Sequence, residues 1–295
     1  MQNNQNSSPQ NLPIGVFDSG VGGLTVLKVL ANHLPDEHFL YLGDSARLPY
    51  GTKSPQTIRK YSEQALGFLA DMGVKALVIA CNSASSQFRE SHFRDIPVEN
   101  VIDPGAVTAL RATQGRIGIL GTRATVTSKV YESALLELAQ SKNRKVEVFA
   151  AAAPLFVPLA EEGWIDDPIT NLIVFRYLQP LIQQNIDTLI LGCTHYPILR
   201  ASIQRAVGNS VSLIDSGEAL AENLRKKFDN QVLFRRNPAE DLGGSEQSKS
   251  PDPNLNPQSN RRIDILSTEE SSTFSSMARR LLGEKRIDSI KVVNL

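Results

Sequence analysis

The 295 residues carry 31 Lys and Arg against 31 Asp and Glu, so the formal charge is zero. That balance argues against nucleic acid or an anionic membrane as a partner and leaves small molecules as the default ligands. Hydrophobic residues make up 41%, enough for two lobes of ordinary domain size, and no apolar run approaches the ~20 residues that span a bilayer.

The start of the chain, residues 1–12, is rich in Asn, Gln and Ser and reads as a disordered leader with no signal-peptide pattern. Ile14 to Phe17 then predicts a buried strand, and Asp18-Ser19-Gly20-Val21-Gly22-Gly23 the turn into a helix through Leu24, Leu27 and Leu30. A second strand, Phe39 to Leu42, leads through Leu48-Pro49-Tyr50-Gly51 to Ser54-Pro55, a cap followed by a first-turn proline. The helix that starts there stops at Gly73, and strand Ala76 to Ala80 follows with Cys81 at its end. A second cycle begins at Ile117-Gly118-Ile119 and closes on Leu189-Ile190-Leu191-Gly192-Cys193.

Strand and helix alternate in both cycles, which predicts an α/β fold. Two similar lobes are expected, each a doubly wound, mostly parallel sheet flanked by helices, with a site in the cleft between them. The predicted division is 13–104 plus 213–295 for the first lobe, discontinuous, and 105–212 for the second. Residues 237–262, rich in Ser, Pro, Asn and Gly, read as a flexible loop. Beyond it, Ser267 and Glu270 predict a capping box for the last helix.

Cys81 and Cys193 are the only cysteines in the chain. They make no disulfide framework and fit free thiols in a reducing compartment, so a cytoplasmic location is expected. Either alone reads as a small buried hydrophobe. At equivalent points of a repeated pattern, they predict two thiols facing one small molecule. If Asn82-Ser83 and Thr194 open helices, their free N–H groups stabilise a thiolate and can hold a substrate carboxylate. Asp18 reads as a helix cap or a functional acid, and His195 as an acid/base partner of Cys193, half a metal site or a packed imidazole. With no second Cys/His pair to join Cys193-x-His195, no metal is expected. The Gly20-x-Gly22-Gly23 turn lacks dinucleotide spacing, and no P-loop or nucleophile elbow occurs, so no cofactor is expected.

Seven segments in order resemble the glutamate racemases: Ile14–Leu24, Tyr41–Ser45 with Leu48–Gly51, Val78–Ala84, Val101–Gly105, Leu120–Thr125, Pro154–Leu159 with Glu161-Glu162-Gly163, and Leu191–Pro197. That resemblance implies a cofactor-independent isomerase that supplies D-glutamate for peptidoglycan. It implies that Cys81 and Cys193 are the acid/base thiols, serving D- and L-glutamate respectively, with Asp18 assisting Cys81 and His195 assisting Cys193. Substrate binding is implied for Asp18, Ser19, Tyr50, Gly51, Asn82, Ser83, Thr194 and His195. Thr122 is a lesser candidate, and Glu161 lies near the site without a catalytic assignment. The resemblance is compatible with a homodimer. Ser83 stands where threonine is usual, Ala153 stands where cysteine is common, and the 237–262 segment is longer than expected. The competing readings are an aspartate or hydantoin racemase of the same superfamily and a two-lobed thiol redox sensor or binding protein.

Overall fold

The computed structural model describes residues 11–229 and 262–295. The predicted leader, apart from residues 11 and 12, and the predicted loop, apart from Arg262, lie outside the described residues. In chain order the first elements are β1 (Ile14–Asp18), α1 (Gly23–His33), β2 (Phe39–Gly43), α2 (Pro55–Asp71), β3 (Ala76–Ile79) and α3 (Asn82–Ser85). Then come β4 (His92–Phe93), β5 (Ile96–Asn100), α4 (Ile102–Ala112), β6 (Arg116–Gly121), α5 (Arg123–Thr127) and α6 (Val130–Ser141). The middle of the chain continues with β7 (Glu147–Ala152), α7 (Phe156–Glu161), α8 (Pro168–Ile182), β8 (Thr188–Gly192) and α9 (Arg200–Val207). Last are β9 (Ser212–Asp215), α10 (Ser216–Asp229), β10 (Ile263–Ser267), α11 (Ser272–Leu282) and β11 (Ser289–Val292).

The strands form two sheets. One has seven strands in the order β11-β10-β2-β1-β3-β5-β4, and the other four in the order β7-β6-β8-β9. Every pairing is parallel except that of β4 with β5. Strands β1, β2, β3 and β8 are buried along their whole length. That burial is why they read as near-continuous apolar runs: helices cover both faces of a parallel sheet. The register sets Phe17 between Leu42 and Ile79 in one sheet and Gly192 beside Gly121 in the other. Cys81 and Cys193 therefore follow central strands at their carboxyl ends, where α/β sheets hold ligands.

Two expectations need correction. β9 pairs with β8, so Leu213 to Asp215 extend the second sheet, although the sequence boundary assigned them to the first lobe. The chain leaves that sheet at Ser216, where α10 starts and crosses to pack against α1 and α4. Ser267 is also no helix cap. It ends β10 with its Oγ 2.8 Å from Ser45 Oγ, whereas Ser271 caps α11 by accepting from the Phe274 N–H at 3.1 Å. The Ser-x-x-Glu spacing is present, but Ser267 is taken up as the last residue of β10, and the helix is capped four residues further on. Among the described residues no helix is long and apolar enough to cross a membrane.

Beneath the first sheet, Lys75 Nζ lies 2.5 Å from Glu37 Oε2 with both side chains buried. Removing one partner strands the other charge out of water. Lys75→Ala is expected to lose about 3–5 kcal/mol of stability in urea unfolding, and a loss below about 1 kcal/mol would contradict that account.

Candidate active site

The two strand ends meet across one cleft, the place where small-molecule sites of such folds form. Ser19, Tyr50, Gly51, Cys81, Asn82 and Ser83 line it from the first sheet, and Thr122, Cys193, Thr194 and His195 from the second. Both cysteines are free and nearly buried, at 5% and 6% exposure. Of the residues expected to bind substrate or move protons, Asp18 alone does not form the wall. It stands one layer back, fully buried.

The lobes touch directly at the β1–α1 turn. A Cβ on Gly22 would collide with Thr194 Oγ1 and the His195 ring, and one on Gly23 with Asp18 and Tyr41. Glycine there allows one lobe's backbone to lie against the other lobe's side chains. Asp18 uses this closeness. Its carboxylate accepts the Gly20 N–H at 2.9 Å and, across the cleft, the Thr194 hydroxyl at 3.3 Å. Thr25 Oγ1 sits 2.8 Å from the Thr194 carbonyl and braces the same contact.

The two thiols have different surroundings. Cys81 caps α3, accepting the Ala84 N–H at 3.5 Å, and its Sγ lies 3.5 Å from Ser19 Oγ as donor. Burial pushes its pKa up to about 12, Asp18 adds to the rise, and the contacts to Ser19 and Ala84 oppose it. The expected thiolate stabilisation is therefore corrected on this side: α3 is one turn of four residues, too short for its dipole to outweigh burial. Burial likewise raises the Asp18 carboxyl against the opposing charge of His195 and the N–H groups of Gly20 and Gly23.

On the other side no helix opens at Thr194. A short 3₁₀ turn, Tyr196–Leu199, precedes α9. Cys193 Sγ faces His195 Nδ1 at 3.8 Å, and His195 Nε2 meets Glu161 Oε1 at 2.9 Å. Burial alone would lower the imidazole's pKa, but its bonds to Cys193 and Glu161 outweigh that effect and raise it to about 10. Both contacts therefore favour the charged form of the His195 ring.

Three placements were not visible in the sequence. Tyr131, on α6, donates to Asn82 Oδ1 at 2.7 Å, and Asn82 Nδ2 lies 3.4 Å from Ser216 Oγ, so the Asn82 side chain is held at the junction between lobes. The Tyr50 hydroxyl is held by Asp44, so it is already engaged while Tyr50 and Gly51 line the cleft. Ser83 Oγ lies 2.9 Å from Thr122 Oγ1, tying the lobes together a second time. Ser83 lacks the methyl of the usual threonine but keeps the hydroxyl, and the hydroxyl is the group that makes this bond.

The Asp/Glu/Hydantoin racemase family model matches residues 14–224. The chain belongs to that family. A glutamate racemase of Syntrophus aciditrophicus is 47% identical over 219 residues, covering 73% of this chain and 80% of that one. Over 97% of this racemase-family chain and 98% of the other, a glutamate racemase isoform from Bacillus anthracis superposes with a TM-score of 0.84 at 34% identity. The Francisella tularensis glutamate racemase, solved in complex with D-glutamate, covers the same shares with a TM-score of 0.79 at 33% identity. These relatives share the two-lobed racemase fold with this chain.

Two outcomes follow from this geometry. Gly22→Ala drives a methyl into Thr194 and His195, so it is expected to part the lobes and cut activity at least tenfold while the chain stays folded by circular dichroism; activity within twofold of wild type would show the contact to be dispensable. The folded pKa of His195 lies above the unfolded ~6.5, so its stabilisation is complete below pH ~6.5 and fades as pH rises through about 10. Glu161→Gln should lower the imidazole titration midpoint read by NMR and flatten that decline in urea unfolding. An unmoved midpoint would remove Glu161 from the account.

Proposed function

We propose that the chain interconverts L- and D-glutamate by proton transfer between two cysteines on opposite faces of the substrate. The observation that carries this reading is the placement of Cys81 and Cys193, from matching strand ends of two sheets, on one small cleft. An amino acid suits it. The buried Asp18 carboxyl lacks a cation of its own beyond the field of His195, and a substrate ammonium beside Ser19 and Asp18 would supply one. Backbone N–H groups after each cysteine are placed to receive the α-carboxylate and the charge that develops there.

With L-glutamate bound, Cys193 Sγ takes the α-proton, and the electron pair left on Cα delocalises into the α-carboxylate. Cys81, which burial keeps as a thiol, delivers its proton to the opposite face and gives D-glutamate. The reverse reaction exchanges the roles. His195, backed by Glu161, balances charge on the Cys193 side and exchanges its proton, while Asp18 holds or returns one on the Cys81 side. The cysteines are the catalytic residues in this scheme. Asp18, His195 and Glu161 act through them. Ser19, Tyr50, Gly51, Asn82, Ser83 and Thr194 complete the binding surface, Tyr50 and Gly51 through their backbone.

The same reading divides the described chain into a first lobe, 13–104 with the part from Ser216 onward, and a second lobe, 105–215. The product suits a supply of D-glutamate for peptidoglycan, and a cytoplasmic location follows from that use and from two free thiols. A homodimer accords with the resemblance.

Cys81→Ala and Cys193→Ala should each reduce racemisation by at least the ~10²–10⁴-fold typical of lost acid/base groups, measured as D-glutamate formed from L-glutamate without added cofactor. Near-normal turnover by either variant would refute the two-thiol scheme. In deuterated water the D product should carry deuterium at Cα, and retention of the original hydrogen would exclude exchange through a thiol. Faster turnover of aspartate than glutamate would redirect the substrate assignment.

A further inference from the structure

None of the described residues from Ile263 onward lines the cleft, yet one of them reaches its wall in two steps. Thr268, just past β10, donates its hydroxyl to Asp44 Oδ1 at 3.0 Å and accepts the Ala46 N–H at 3.0 Å. Asp44 follows β2 and is fully buried. Its second oxygen, Oδ2, accepts the Tyr50 hydroxyl and, at 2.7 Å, the Arg47 Nε–H. Tyr50 and Gly51 in turn line the cleft. Gly51 lies so close to the second lobe that an added Cβ would stand 2.7 Å from Thr122 Cβ.

The Tyr50 ring packs against Phe17 and Tyr61, with centroids 6.1 and 5.8 Å away. Tilted ring contacts hold over a range of offsets, whereas a hydrogen bond is directional. The bond to Asp44 therefore fixes how far Tyr50 reaches. Burial and the Asp44 charge push the Tyr50 hydroxyl above its ordinary pKa, so it stays a donor. The Asp44 carboxylate can serve as a fixed anchor only if it does not turn, and Thr268 pins the oxygen opposite the one that Tyr50 uses. We propose that Thr268 is a positioning residue: through Asp44 and Tyr50 it sets where the Tyr50–Gly51 turn stands on the cleft wall, and with it the affinity for substrate. This rests on the reading of Tyr50 and Gly51 as part of the binding surface.

Thr268→Val keeps the shape of the side chain and removes its hydroxyl. In the full chain it should raise KM for L-glutamate about threefold while kcat stays within about twofold, the pattern of lost uniform binding. A variant that only loses stability behaves differently, with fewer active molecules at an unmoved KM. Thr268→Ser should restore KM. Tyr50→Phe should raise KM by itself, and Thr268→Val added to it should cost nothing further, because members of one bonded series are not additive. Amide hydrogen exchange over Tyr50–Thr52, read by mass spectrometry without turnover, should quicken in Thr268→Val and recover in Thr268→Ser. An unmoved KM, a fall in kcat alone, or additive effects of the two substitutions would overturn the proposal. Quickened exchange in a chain that does not racemise would sustain the positioning role and sink the proposed reaction; racemisation with KM and exchange indifferent to Thr268 would do the opposite.

Discussion

The structure depends on one close approach, that of the β1–α1 turn to Thr194 and His195. Each sheet alone offers a strand end, a cysteine and a few backbone N–H groups. Contact at Gly22 turns two such ends into one enclosed space and lets Asp18, on the first sheet, accept a hydroxyl from Thr194, on the second. Packed interiors transmit displacement because they contain few voids, so the separation of the two sulfur atoms is set by that backbone contact and by the Ser83–Thr122 tie.

Within this frame the two halves are alike in topology and unlike in electrostatics. Cys81 is buried close to Asp18, and burial and that acid keep its proton on against the pull of the Ser19 hydroxyl. Cys193 lies beside His195, a ring whose charged form is favoured by its contact with Glu161. The repeated strand-and-turn plan supplied the geometry twice, and unrelated neighbours, Asp18 at the end of β1 and Glu161 on α7, gave the two copies different surroundings.

Much of this was legible in the residue order. Periodicity and turn residues predicted β1, β3, β6 and β8, and the position of the cysteines after the apolar runs Val78 to Ala80 and Leu189 to Gly192 pointed to a shared site. What escaped depended on distance through space. Tyr131 lies on a helix with no motif of its own, yet it holds Asn82 from the opposite lobe. The thiol state of Cys81 was misread because an N–H donor next in sequence is visible, whereas burial and the nearness of Asp18 are not. Ser267 met the rule for a cap and was overruled by the strand pairing of β10 with β2. The edge at 212/213 failed for a similar reason: β9 is completed by β8, a partner distant in sequence.

The unlike settings of the two thiols meet a thermodynamic boundary. Mirror-image amino acids have equal free energies in water, so the equilibrium constant of their interconversion is unity and kcat/KM has to be the same from either hand. The histidine at one sulfur and the buried carboxyl at the other therefore cannot make the catalyst favour one product. They can only let one enantiomer bind more tightly and turn over more slowly, in equal proportion, than its reflection.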